Sequence, residues 1–330
     1  MSDVISASVL IEHPEQLSKL SPPAILGVFG DPVAHSLSPE FHNPALSAAA
    51  INGQYVRIHA PAELFDQALR ALPEAGFRGA NITIPHKAAA LATVDEADEE
   101  ARRAGGVNTV TLDGRRLLGF STDGPGLSRA IREEFSVDLK DLRVLLLGAG
   151  GGAGRAAAAR CASEGCERLV LANRSVDKVR TLAASLAAAF RTDRLVGPAD
   201  RLMAIPMEPA ALRDQIDQVD LVINATPLGM RLTDPSPLPT PLLTPNLMVY
   251  DMVYSGGKSR LILDAEAAGA RAANGLSMLL HQGALSFEIW FNRPAPIEVM
   301  RTALLSAAAR NRESGIFFAA PGECLHENPV

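Results

Sequence analysis

The chain has 330 residues, 47% of them hydrophobic and 21% charged, a length that exceeds one ordinary core and predicts two domains. Its formal net charge of −6 and pI near 5.7 argue against a nucleic-acid or anionic-membrane partner. No basic-then-apolar leader opens the sequence and no apolar run approaches membrane-spanning length, so a cytoplasmic protein with no membrane partner is expected.

Residues 1 to about 22 lack clear periodicity and end in Ser21-Pro22-Pro23, so 1–24 reads as an extension before a first strand over 25–30. Ser38-Pro39 predicts a helix start, with Ser38 as the capping residue and the proline at the first helical position. A strand over 55–58, a helix from Pro61 and a strand over 81–84 complete a β-α-β-α-β series, which favours a parallel sheet. That last strand opens the stretch Asn81-Ile82-Thr83-Ile84-Pro85-His86-Lys87, where polar and apolar residues alternate until a proline ends the strand and a lysine follows. A lysine opening a surface helix is ordinarily a solvated charge. Asp113-Gly114 between apolar runs then predicts a hairpin over 110–118, and the first domain is expected to end near Gly124.

A second series follows, with strands over 144–147, 169–171, 221–224 and 248–251 and an alanine-rich helix over 154–162. The proline-rich 227–246 stretch is predicted as loop. Cys161 and Cys166 fall on the predicted helix without His or Cys neighbours, and with Cys324 they make a sparse set that suits a reducing compartment, so no metal is expected. Helices over 278–291 and 297–310 are long enough to return to the first domain. The expected fold is therefore α/β. A mostly parallel first domain spans 25–124, a Rossmann-like second domain spans 125–275, and helices at 276–312 pack on the first domain before a tail over 313–330. The apolar residues at 316–318 have no assigned contact.

Gly148-Ala149-Gly150-Gly151-Gly152-Ala153-Gly154 directly follows an apolar strand and opens a helix, the context a dinucleotide fingerprint requires. Glycines let the backbone approach a pyrophosphate, and the helix N-terminus offers free N–H groups. The next strand ends at Asn173-Arg174-Ser175, where an NAD enzyme would be expected to carry an acidic residue against the ribose 2′-hydroxyl. A guanidinium suits the 2′-phosphate of NADP instead. Arg174 is also compatible with a plain exposed helix flank, and the nearby Asp177 keeps NAD open.

Three polar clusters fall at predicted strand ends of the first domain: His35-Ser36-Leu37-Ser38, the stretch ending in Lys87, and Gly119-Phe120-Ser121-Thr122-Asp123-Gly124. Ligands of open α/β sheets bind outside the carboxyl ends of strands, so the clusters are expected to converge on one crevice. Each also has a plain structural role: Ser38 and Asp123 fit as helix caps, and Val107-Asn108-Thr109 fits as a turn into the hairpin.

Together these motifs resemble the shikimate dehydrogenases, with 27–39, the lysine stretch, Gly106-Val107-Asn108-Thr109, the 119–124 cluster and the glycine turn in the same order and spacing. Asn224-Ala225-Thr226-Pro227-Leu228-Gly229-Met230, Tyr250-Asp251-Met252-Val253-Tyr254 and Met278-Leu279-Leu280-His281-Gln282-Gly283 complete the set, so the resemblance covers about residues 25 to 310. It implies NADP-dependent reduction of 3-dehydroshikimate to shikimate, in a monomer or homodimer acting on a small molecule. By motif position, Ser36, Ser38 and Thr83, helped by Tyr254, would hold the substrate carboxylate. Asn81, Asn108, Asp123 and Gln282 would read ring hydroxyls, and Lys87 with Asp123 would form the catalytic pair. Gly148 to Ala153, Asn173, Arg174, Ser175, Thr226, Met252 and Gly275 would hold the cofactor. Ser121 departs from the family's usual asparagine in the 119–124 motif, which leaves quinate as a second substrate and NAD as a second cofactor. A non-catalytic sensor on the same fold is the remaining alternative. Chemically, ketone reduction by hydride leaves an alkoxide that needs a proton donor within about 3 Å, a role an ammonium at position 87 can fill.

Overall fold

Apolar runs bounded by glycine and proline become strands, and the periodic stretches between them become helices. A computed structural model of the chain describes residues 4–190, 200–231, 233–254 and 257–313; Cys324 and positions 316–318 lie outside the described residues. The chain begins β1 (Val4–Ser6), α1 (Ala7–Glu12), α2 (Glu15–Ser18), β2 (Ala24–Gly30), α3 (Ser38–Ala48), β3 (Gln54–His59), α4 (Ala62–Arg70) and β4 (Gly79–Ile82). It continues α5 (Lys87–Thr93), β5 (Glu96–Ala97), α6 (Glu99–Ala104), β6 (Thr109–Asp113), β7 (Arg116–Phe120) and α7 (Asp123–Phe135). Then come β8 (Arg143–Leu147), α8 (Gly152–Glu164), β9 (Arg168–Asn173), α9 (Val176–Leu186), β10 (Leu202–Pro206), α10 (Pro209–Ile216) and β11 (Leu221–Asn224). The last elements are β12 (Met248–Asp251), α11 (Arg260–Ala267), β13 (Arg271–Asn274), α12 (Leu276–Phe291) and α13 (Ile297–Glu313).

These elements form two compact units. The described residues up to Ala130, with Arg155–Arg160 and Ser277–Ala307, make the first; Ile131–Gly154, Cys161–Leu276 and the described residues from Ala308 make the second.

The first unit holds a seven-stranded sheet in the order β1-β3-β2-β4-β6-β7-β5. Strands β1, β3, β2 and β4 run parallel, and β6 turns antiparallel to β4 and β7. The hairpin closes with Asp113 opposite Arg116 and a two-residue loop whose first member, Gly114, has φ 62°. Only glycine takes that conformation without strain. Phe29, Ile58, Phe65, Leu69 and Leu72 are buried in the core, with Phe29 and Phe65 edge to face at 6.0 Å. Burying each such side chain contributes about 1.5 to 3 kcal/mol.

Several sequence expectations change here. The 1–24 stretch contributes an edge strand, with Val4 opposite Arg57, and Ala7 and Leu10 are fully buried in the same core. A three-residue strand and a six-residue helix are too short to show a period. The expected strand over 81–84 alternates in sequence, yet β4 spans Gly79–Ile82 and is buried at all four positions, the amide of Asn81 meeting Ser286 of α12 at 3.0 Å where the pattern predicts water, while Ile84 lies beyond the strand and is exposed. Ser38 is the first residue of α3, after an N-cap at Leu37 that makes no side-chain bond, so its hydroxyl is not a helix cap. Cys166 lies beyond Gly165, whose left-handed φ of 74° ends α8.

In the second unit six strands run parallel in the order β10-β9-β8-β11-β12-β13. The chain doubles back beside β8, which makes the carboxyl ends of β8 and β11 the switch point where such sheets bind ligands. Strand β8 is apolar at four successive buried positions, as a strand covered on both faces must be.

Candidate active site

The loops of the first unit are pinned by backbone bonds before any side chain acts. Ile82 N–H donates to Asn108 O at 2.8 Å, Asn108 N–H to Phe120 O at 3.1 Å, and Val107 N–H to Lys87 O at 2.9 Å. His86, just before Lys87, is buried at 2% exposure, stacks on Phe65 at 4.3 Å and donates from Nε2 to Ala60 O at 2.6 Å. Burial holds its pKa below the usual histidine value, so the ring anchors the loop as a neutral donor.

Lys87 and Asp123, 36 residues apart, meet at 2.6 Å between Nζ and Oδ2. The aspartate side chain is 9% exposed and the lysine 21%, so the pair is sheltered while the ammonium keeps an opening. The other carboxylate oxygen accepts from Asn108 Nδ2 at 2.9 Å. That nitrogen also lies 2.9 Å from Thr122 Oγ1 and 3.3 Å from Gln282 Oε1, while Asn108 Oδ1 accepts from Thr122 N at 2.8 Å. Asn81 extends the network, donating to Asn108 O and Thr109 Oγ1, both at 3.1 Å, and accepting from the Tyr55 phenol at 2.8 Å. Every polar group in this buried cluster has a partner, which is the condition for a rigid network in a low-dielectric site.

A second group lies on the loop after β2. Ser36 Oγ accepts from Ser38 N–H at 3.3 Å. The Ser38 hydroxyl sits beside the Tyr55 phenol, whose pKa burial drives upward, so Tyr55 stands as a neutral group between the serine loop and Asn81, to which it donates. Thr83 is half-buried, with its N–H donating to Phe29 O at 2.9 Å. The structure thus brings Lys87, Asp123, Asn108, Gln282 and Asn81 into one network, with Ser36 and Ser38 bonded to each other on a neighbouring loop. Tyr254 belongs to the second unit, in the loop after β12. Tyr55, Thr122 and Ser286 were not singled out by sequence reading. The signal for Ser286 was its place four residues after Gln282 on an apolar helix, where it donates to Gln282 O at 2.9 Å.

In the second unit, Gly148 takes φ 79°, and a Cβ there would lie 2.7 Å from Thr226 Cγ2. At Gly154 a Cβ would come within 2.5 Å of Gly148 O, so both positions require glycine for the tight turn. Gly152 has nothing within 4 Å of a built Cβ, and it opens α8 after an N-cap at Gly151 that has no side chain to cap the helix. That open helix N-terminus fits a pyrophosphate. Ala149 and Ala153 complete the turn, and Asn173 packs beside Gly150 while its Nδ2 donates to Ser175 O at 3.0 Å. Arg174 and Ser175 are exposed next to it. Asp177 is taken up by Arg180 at 2.9 Å on the first turns of α9. Asn224 holds the neighbouring strand end, accepting from Thr226 Oγ1 at 2.7 Å and donating to Asp251 at 2.9 Å, while Met252 N–H reaches Asn224 O at 2.9 Å. Burial raises the pKa of Asp251, against the hydrogen bonds from Ser259, Val253 and Asn224. Gly275 packs directly on Met252 O.

A doubly wound unit with a glycine turn and a mixed-sheet unit presenting a sheltered lysine–aspartate pair define a dinucleotide-dependent α/β oxidoreductase. Family models match in succession: a shikimate dehydrogenase substrate-binding domain over 28–110, a shikimate/quinate 5-dehydrogenase over 129–228 and a shikimate 5′-dehydrogenase C-terminal domain over 275–305. The chain belongs to the shikimate dehydrogenase family. The shikimate dehydrogenase (NADP(+)) of Methanopyrus kandleri is 40% identical over 286 residues, 85% of this chain and 94% of that protein. The Thermus thermophilus shikimate 5-dehydrogenase structure in complex with NADP(H) and shikimate is 35% identical with a TM-score of 0.75, covering 86% of this chain and 99% of that one. The quinate dehydrogenase of Corynebacterium glutamicum in complex with NAD is 29% identical with a TM-score of 0.74, again covering 86% and 99%. Among the described residues no helix is long and apolar enough to cross a membrane.

Proposed function

We propose that this chain catalyses the reversible NADPH-dependent reduction of 3-dehydroshikimate to shikimate in aromatic amino-acid biosynthesis, acting in the cytoplasm as a monomer or homodimer. The observation that carries it is the 2.6 Å Lys87–Asp123 pair set in a satisfied amide network. Bound NADPH supplies the hydride, held by the 148–153 turn, Asn173, Arg174, Ser175, Thr226, Met252 and Gly275. The Lys87 ammonium protonates the developing alkoxide, and Asp123 orients it and stabilises its charge. In the oxidative direction the same side chain takes the hydroxyl proton as the hydride leaves. Ser36, Ser38 and Thr83 hold the carboxylate, while Asn81, Asn108, Asp123 and Gln282 read the ring hydroxyls. Domain roles follow: 25–124 with 276–312 for substrate and 125–275 for cofactor.

Initial rates with shikimate and quinate, each with NADP and NAD, test this directly. Shikimate with NADP should give the highest specificity constant; an equal or higher value for quinate with NAD overturns both assignments.

A further inference from the structure

Arg57 lies on β3, two residues beyond Tyr55, and so on the same face of that strand. Its side chain is only 11% exposed. Nε and Nη2 donate to the Ser36 carbonyl at 3.0 and 2.8 Å, and Nη2 also reaches Glu40 Oε1 at 3.0 Å. Withdrawing a guanidinium from water is costly unless its donors are met in good geometry, and here the planar fork closes on one peptide oxygen and one carboxylate. The clamped peptide belongs to Ser36, whose hydroxyl accepts from Ser38 N–H at 3.3 Å. The Ser38 hydroxyl in turn lies beside the Tyr55 phenol. Alternate residues of one strand therefore face the serine loop, Arg57 clamping the loop backbone at Ser36 and Tyr55 lying beside the Ser38 hydroxyl. Leu37, between the serines, makes no capping bond that would hold the loop instead.

We infer that Arg57 is a positioning residue for carboxylate recognition: it fixes the peptide of Ser36 so that the Ser36 and Ser38 hydroxyls stand ready for an anionic group, with Glu40 completing its fork. This role rests on the two serines holding the substrate carboxylate. Lysine at 57 would keep the charge but lose the fork, and methionine would keep only the apolar stem.

The test compares Arg57→Lys, Arg57→Met and Ser36→Ala, each assayed with shikimate and with its neutral carboxamide at saturating NADP. Losing a hydrogen bond to a charged group weakens binding by about tenfold or more, so Arg57→Met should raise the KM for shikimate by about that factor. Turnover and the KM for NADP should stay within about twofold, and the preference for shikimate over its carboxamide should shrink. Arg57→Lys should fall between wild type and Arg57→Met. It also carries the test if Arg57→Met does not fold. A raised KM in Ser36→Ala with unchanged discrimination in both Arg57 variants refutes the positioning role alone. An unchanged KM in Ser36→Ala refutes the carboxylate assignment, and the role of Arg57 with it.

Discussion

Replacing Lys87 with alanine isolates the proton-handling step. The ammonium lies 2.6 Å from Asp123 and its side chain is 21% exposed, so in Lys87→Ala water can enter the vacated contact. General acid–base catalysis contributes about two to four powers of ten, which corresponds to about 2.7 to 5.5 kcal/mol in the activation barrier. Turnover should fall by that factor while NADP affinity is unchanged, because the cofactor residues belong to the second unit. Asp123→Asn keeps the shape and the acceptor for Asn108 but removes the charge that orients the lysine, so it should also act mainly on turnover. If the two act as one unit, the double variant should be about as slow as the slower single variant. Steady-state rates in both directions, followed by nicotinamide absorbance, give these numbers, and fluorescence titration gives NADP affinity. Multiplicative losses in the double variant would refute the shared unit, and near-normal turnover in Lys87→Ala would return the lysine to a solvated charge.

Arg174→Ala should weaken NADP use by about tenfold to a hundredfold and leave NAD use nearly unchanged, since one charge-assisted phosphate bond is lost; equal losses in specificity constant for both cofactors would make Arg174 structural. His42 is fully buried, stacks on Tyr55 at 4.6 Å, and has neither ring nitrogen hydrogen-bonded, so desolvation pushes its pKa from 6.5 down to about 3. The unfolded chain then binds the extra proton first, so His42 contributes stability in full above pH 6.5 and loses it as pH falls toward about 3, by about 1.4 kcal/mol per pH unit at most. Denaturation midpoints of wild type and His42→Phe measured across that window should diverge, with the wild type steeper; parallel curves would show that His42 is not the acid-sensitive group.

Legibility followed sequence distance. The 148–154 turn could be read because strand, turn and helix are consecutive, and the Asp113-Gly114 hairpin because its signal is two residues long. Lys87 and Asp123 could be brought together only by likeness to a family, since nothing local joins residues 36 apart. Tyr55, Thr122 and Ser286 stayed hidden because their role arises from the register of β2, β3 and β4 and from α12, and the Asn81–Ser286 contact spans 205 positions. Ser38 carried a correct local signal for a helix start, yet the helix took the serine in as its first residue, with its hydroxyl beside Tyr55 and not capping the helix. Asn81 looked like the wet side of a strand because alternation says nothing of what covers the other face.

The edge position of β1 bears on how this chain can be shortened. The substrate-domain family match starts at residue 28, inside β2, inviting a trim of the residues that precede that strand, yet Val4, Ile5 and Ser6 are the outer partners of Arg57, Ile58 and His59. Without them β3 would present an unpaired row of N–H and C=O groups six residues long, a ready template for a second copy. The bared strand is also the one that carries Tyr55 and Arg57, so self-association along that edge and slackening of the serine loop would arrive together.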